Sequence, residues 1–400
     1  MYDIIVVGAR CAGSPTAMLL ARKGYRVLLV DKANFPSDTI STHIVWPAGI
    51  ARLKRWGLLE KIVASNCPAI RKLTFDLGPF ALTGSPPPAE SISEFFAPRR
   101  KVLDIILVNA AVEAGAELRE GCTVEGITSD GERVTGIRCS AKGGASVTET
   151  APIVIGADGR NSVIARAVKA PEYSTKPPLG CWYYAYWSGV SIDGPELYSR
   201  PGRAFGPIPT NDGLVCLPVA WTHNVFQQYR ADIEGNYLKT LELAPGLAER
   251  VRRGKRAERF VGTADLPNFF RKPSGPGWAL VGDAGYHKDP ITAQGISDAF
   301  RGAEALVDAV DAGFSGREPL EVALTRLERK RNEEVMPMYE FTCQLATLEP
   351  PPPTLQRLFA GLHGNQTETD RFFGTLAGTV PLREFFSPEN MRRIIGAAAS

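Results

Sequence analysis

The chain has no Cys-x-x-Cys pair and no histidine or cysteine spacing that ligates a metal, so zinc modules and dithiol redox motifs are excluded. Its seven cysteines, Cys11, Cys67, Cys122, Cys139, Cys181, Cys216 and Cys343, are scattered and odd in number; reduced thiols in a cytoplasmic setting are expected rather than a disulfide framework. No apolar run approaches the roughly 18 residues of a membrane span, and the first apolar run starts too early for a signal peptide to precede it. Charge of one sign is also missing: 46 Lys and Arg against 43 Asp and Glu leave +3, unclustered, which offers nothing to nucleic acid. No internal repeat is evident. What is present is ordinary for a large globular protein of two or three domains: 400 residues, 44% apolar and 22% charged.

The N-terminus reads as a βαβ unit. Ile4-Ile5-Val6-Val7 is wholly apolar, as a buried parallel strand should be, and it runs into Gly8-Ala9-Arg10-Cys11-Ala12-Gly13. Pro15 is tolerated in the first turn of the helix that follows, and Gly24 closes that helix. A second apolar strand, residues 27–30, ends in Asp31. The free amides and positive dipole end of the helix suit a pyrophosphate, and Asp31 can accept hydrogen bonds from a ribose diol. Arg10 stands where such fingerprints carry their middle glycine, and it can add charge-assisted hydrogen bonds to a phosphate.

Further along, residues 48–56 and 58–63 are expected to be helical, and 70–77 and 91–97 to form a hairpin of a second sheet around the Pro86-Pro87-Pro88 loop. An amphipathic helix opens at Arg100 and runs to Gly115. Strands at 117–119, 123–128, 134–141 and 147–151 are expected to form a small antiparallel meander. The next buried strand, 152–156, leads into Asp158-Gly159, with Asn161 and Ser162 starting a short helix. A carboxylate directly after a parallel strand sits at the sheet edge where ligands of open α/β sheets bind.

From residue 178 the composition turns aromatic. Trp182, Tyr183, Tyr184, Tyr186 and Trp187 make one strand, with partners at 203–209 and 214–221 and a turn at Asn211-Asp212-Gly213. Alternation sends Trp182, Tyr184 and Tyr186 to one face, a dry wall suited to a flat or lipophilic substrate. Residues 224–253 are expected to cover the other side as helix. A late strand at 278–281 enters Gly282-Asp283, and Asp289-Pro290 leads into a helix through Gly295, Ile296 and Ser297. That N-terminus can stabilise negative charge. Residues 315–331 read as helix, the charged run 328–334 as a solvated face, and the tail after Pro350 as a helical segment packed on its own protein.

Taken together, the glycine fingerprint, the Arg100-x-x-x-Asp104 helix, Asp158-Gly159 and Gly282-Asp283 resemble the flavoprotein superfamily of class A aromatic hydroxylases, flavin-dependent halogenases and geranylgeranyl reductases. The resemblance implies an α/β protein: a Rossmann-like, GR2-type FAD-binding domain with a central parallel sheet, an inserted antiparallel substrate domain, and C-terminal helices. The expected division is 1–67, 99–177 and 270–330 for the FAD-binding domain, 68–98 and 178–269 for the substrate domain, and 331–400 for the C-terminal segment. It also implies FAD held non-covalently by Gly8, Ala9, Arg10, Cys11, Ala12, Gly13, Asp31, Lys32, Arg100, the backbone near Val124, Asp158, Asp283, Gly295 and Ile296.

Within that superfamily the chain lacks the Trp-x-Trp-x-Ile-Pro element of halogenases. It carries Asp38-Thr39-Ile40-Ser41-Thr42-His43 where prenyl reductases have a cysteine and glycine cluster. The broadest fit is a monooxygenase, with NAD(P)H as transient reductant and O2 as co-substrate. It would hydroxylate or epoxidise an aromatic or polycyclic molecule through a flavin C4a-hydroperoxide, against Trp182, Tyr184 and Tyr186. His43 and His287 are the candidate proton-transfer residues. No metal is expected, and a monomer or homodimer is. The rival readings are a flavin-dependent reductase of an isoprenoid-type double bond and a non-catalytic escort on the same fold.

Overall fold

Ile4–Val7, Val27–Val30 and Ile153–Gly156 are fully buried strands lying in parallel register. The computed structural model describes residues 1–141 and 144–397. These three strands form the middle of a six-stranded sheet whose order is Ser274–Gly275, Trp278–Leu280, Ile153–Gly156, Ile4–Val7, Val27–Val30, Glu117–Arg119. Side chains alternate between two cores: Ile4, Val6, Val27, Leu29, Ile153 and Ile155 enter one, and Ile5, Val7, Leu28, Val30 and Val154 the other. Both faces are dry, which is why these strands carry apolar residues at every position.

The first core is closed by the helices Gly13–Arg22, Arg100–Glu113 and Gly295–Phe314. A three-stranded antiparallel sheet, Cys122–Asp130, Arg133–Ala141 and Ser146–Thr150, and the short helix Val163–Ala167 close the second. Glu117–Arg119, expected in that meander, instead pairs in parallel with Val27–Val30 and ends the central sheet. The preceding helix acts as the crossover that a parallel neighbour requires.

The second large sheet has nine strands. Its centre is the aromatic strand Gly180–Ser188, antiparallel to Val215–Thr222. The expected hairpin exists with a different partner: Leu73–Asp76 pairs with Ala81–Gly84, and residues 91–97 make only isolated bridges through Phe95 and Phe96. Gly78, at φ +98°, turns the chain inside a tight hairpin. The triple proline comes after that hairpin, where missing amide donors stop the sheet from growing.

The helical cover over 224–253 is broken into Phe226–Tyr229, Ile233–Leu241 and Pro245–Arg253. Asp232 caps the second by accepting from the Gly235 amide, and Pro245 opens the third. After Leu320–Ala346 the tail forms four further helices: Pro353–Leu362, Gln366–Ala377, Leu382–Phe385 and Pro388–Ala397. Phe359, Phe372, Phe373 and Phe385 from these helices share a core with Phe75, Leu82, Tyr184 and Tyr186. The charged run 328–334 is not wholly solvated, because Arg331 donates to the carbonyls of Arg271 and Gly285. No described helix is long and apolar enough to cross a membrane.

Candidate functional site

Gly8 leaves the first strand at φ +102°, where a Cβ would stand 2.5 Å from the Ala157 carbonyl oxygen. A Cβ on Gly13 would fall 1.6 Å from the Gly8 oxygen. Only glycine at both places lets the turn close and brings the helix N-terminus to the carboxyl edge of the sheet. Arg10 turns its guanidinium onto Asp104 and Ser37. Asp104 is fully buried and also takes Arg100, so the Arg100–Glu113 helix is tied to the turn through one carboxylate. Asp31 accepts the Ala9 amide at 2.7 Å and the Ala33 amide at 2.8 Å, which orients it at the end of its strand.

The late segment mirrors this arrangement. Gly282 sits at φ +63°, where a Cβ would stand 2.7 Å from the Ala12 side chain, and Asp283 follows it. Ala293, at φ +53°, then reverses the chain into the 20-residue helix that begins at Gly295. The strands that deliver Asp31 and Asp283 are three positions apart in the sheet order, roughly 14 Å at the usual interstrand spacing.

Between these segments lies a cavity of about 650 Å³, within the range of roughly 300–1,000 Å³ usual for small-molecule sites. Its walls bring together Gly8, Arg10, Cys11, Ala12, Asp31, Lys32, Arg100, Val124, Asp158, Asp283, Gly295 and Ile296, with His287, Trp182 and Tyr184. Of the other expected residues, Ala9 and Gly13 form the turn behind the wall.

His43 and Tyr186 do not line the cavity. The Tyr186 hydroxyl and His43 Nε2 share a hydrogen bond of 2.8 Å, and the Arg99 guanidinium lies 4.0 Å over the Tyr186 ring. Arg99 in turn bonds Asp38 and Glu258. Burial pulls the His43 imidazole down to about 3, which favours its neutral form. His287 does line the cavity, and its Nδ1 is held by the Pro267 carbonyl.

Several wall residues were not among the expected site residues: 39–42, Pro218, Thr263, Leu266, Lys288 and Asp289. Asp289 had a signal in the Asp-Pro pair, where it caps a short turn by accepting the Ile291 amide, but its contact with Trp182 spans 107 positions. Lys288 pairs with Asp298 in the wall, and Arg301 shares that carboxylate. Burial opposes the charge on Asp298, yet the two cations together hold it below the usual carboxylate range.

FAD fits this site by its donors and acceptors. Asp158 spends one oxygen on the Val163 amide at 2.6 Å, while its other oxygen is buried with no partner among the described residues. Burial holds that carboxyl above the usual range. An orphaned acceptor in a cavity wall calls for a donor on the ligand, and a polyol or ribose hydroxyl provides one. The glycine cradle and the two separated carboxylates, Asp31 and Asp283, match the phosphates and hydroxyl groups of a dinucleotide.

Comparison with known proteins agrees. The family model described as FAD binding domain matches residues 1–210. The tryptophan 2-halogenase of Chondromyces crocatus is 27% identical over 323 residues, covering 78% of this chain and 62% of the halogenase; the chain thus spans under two thirds of that relative's length. A digeranylgeranylglycerophospholipid reductase of Methanosarcina acetivorans is 28% identical, covering 80% of this chain and 79% of the reductase. The 6-methylpretetramide 4-monooxygenase of Streptomyces rimosus is 25% identical, covering 83% and 80% respectively. Among solved structures, a flavin-dependent brominase superposes with a TM-score of 0.83 at 20% identity, covering 99% of this chain and 98% of the brominase. The myxobacterial chondrochloren halogenase superposes with a TM-score of 0.81 at 19% identity, covering 99% and 97%.

Proposed function

The chain belongs to the FAD binding domain family, and from that premise we propose that this FAD-dependent oxidoreductase is an NAD(P)H-dependent monooxygenase of an aromatic or polycyclic small molecule. The observation that carries the reading is the continuity of one cavity from the Gly8 turn to the wall made by Trp182 and Tyr184. One half is polar and suits a dinucleotide; the other is a flat aromatic face that suits a ring.

Bound FAD supplies two-electron redox chemistry with dioxygen. The chain's own residues do the rest. With FAD bound, the helix N-terminus at Gly13 and the Arg100 guanidinium would hold the phosphates, Asp31 would accept from the ribose, and Asp283 would accept from the ribityl chain. The N-terminus of the Gly295–Phe314 helix would offer unpaired amides to negative charge on the ring system. Trp182, Tyr184, Pro218 and Leu266 exclude water from the substrate half, which limits unproductive loss of activated oxygen.

The test is a purified holoprotein supplied with NADPH or NADH, oxygen, and a panel of aromatic substrates. Oxygen uptake matched to product carrying one added oxygen atom supports the reading. Product that instead gains halogen when chloride or bromide is present replaces it with halogenation. A second reading, reduction of an isoprenoid-type double bond, is favoured by the similarity to the Methanosarcina reductase. It predicts turnover without oxygen. Protein that fails to acquire flavin absorbance after FAD is added overturns both readings and favours the escort.

A further inference from the structure

Asp289 is 1% exposed and lines the cavity beside Trp182, Leu266 and Ala293. Its carboxyl meets neutral donors only. The Trp182 indole N–H lies 3.2 and 3.4 Å from the two oxygens, and the Ile291 amide donates at 3.0 Å. The residue is fixed from behind, because its own amide donates to Asn268 Oδ1 at 2.8 Å. A Cβ on Gly180 would stand 3.3 Å from Oδ2, so the aromatic strand gives this oxygen room.

No cation neutralises the group among the described residues. The adjacent Lys288 is committed to Asp298, which also takes Arg301. The titratable groups that face Asp289 from other elements are Cys181 on the aromatic strand and Cys343 on the Leu320–Ala346 helix. Burial pushes both thiols up to about 11, so both are neutral. His287, two positions earlier, is held on the Pro267 carbonyl.

A turn cap does not require this arrangement, since asparagine would accept the same amide without a charge to bury. A carboxylate removed from water and left without a cation is costly, and burial pushes Asp289 up to about 7. A group poised there exchanges protons at working pH.

We propose that Asp289 is the general base of the substrate half, and that the substrate is an electron-rich aromatic bearing an O–H or N–H, such as a phenol or an aniline. The substrate's O–H or N–H bond breaks, its electron pair stays on the heteroatom and enriches the ring, and the proton forms an O–H bond on Asp289. No electron is transferred in this step. The assignment rests on the oxygenase reading above, with dioxygen as the oxidant of the later chemistry.

The experiment uses the FAD-loaded protein and the variant Asp289→Asn, which keeps the shape, the cap and an acceptor for the Trp182 indole. The indole N–H resonance of Trp182, assigned by its loss in Trp182→Phe, should move with a midpoint at about 7 and stand still in Asp289→Asn. Turnover of a phenolic substrate should fall on the order of 100-fold or more in Asp289→Asn, with FAD affinity unchanged. The O-methyl ether of the same substrate, which has no proton to give, should be handled alike by both proteins. A wild-type resonance that is static from about pH 5 to about 9, or an Asn variant as fast as wild type on the phenol, overturns the proposal alone. A wild type that oxidises no aromatic but reduces a double bond without oxygen overturns the function it rests on, whatever the resonance does.

Discussion

At Gly13 a single methyl group decides whether the nucleotide turn closes, because the Gly8 carbonyl occupies the place a Cβ would take. Gly13→Ala should lose FAD, read as flavin absorbance after gel filtration, and lose about 1–3 kcal/mol of stability by denaturant titration, the usual cost of overpacking. His43 makes a different residue-scale prediction. Its folded value of about 3 lies below the ordinary imidazole value of 6.5, so the unfolded chain binds more protons over that interval. Stability should fall as pH drops below about 6.5, by at most about 1.4 kcal/mol per pH unit. His43→Asn tolerates the local φ of +63° and should flatten this dependence in urea titrations at successive pH values. The places of Gly8, Gly13 and Asp31 around the turn were legible in the sequence because they follow from neighbours along the chain. The contacts of Arg99 and Asp289 were not, since their partners Glu258 and Trp182 lie 159 and 107 positions away.

Elements show the same division. The central strands could be read because burial on both faces demands unbroken apolar runs, and the aromatic strand because its alternation survives in the structure. Trp182, Tyr184 and Tyr186 share one face, while Cys181, Ala185 and Trp187 pack under the helices with Tyr237 and Leu247. Glu117–Arg119 was misplaced because a three-residue edge strand carries too little pattern to name its partner. The hairpin partner was missed because 91–97 is apolar enough for a strand yet spends its residues on core contacts through Phe95 and Phe96. At the start of the Gly295–Phe314 helix, Asp298 holds the buried Lys288 and the partly exposed Arg301. Asp298→Ala leaves Lys288 charged and unpaired there and should cost about 3–5 kcal/mol in denaturant unfolding. Adding Lys288→Met should recover part of that loss, and a double variant no more stable than Asp298→Ala would contradict the pairing.

On the scale of the whole molecule, the C-terminal helices supply much of the second large core. Phe372 packs against Phe75, Phe359, Phe373 and Phe385. Phe372→Ala should cost about 3–5 kcal/mol in thermal or urea unfolding, while FAD stays bound wherever the protein is folded; loss of FAD from a still-folded variant would show that the tail reaches the cofactor. The order of the central sheet has a consequence for biosynthesis. Trp278–Leu280 joins beside Ile153–Gly156, and the cavity needs Gly295 and Ile296. A growing polypeptide therefore has no closed nucleotide slot until residue 296 has left the ribosome. Flavin capture thereby follows synthesis of every strand of the second sheet, which has had time to assemble first.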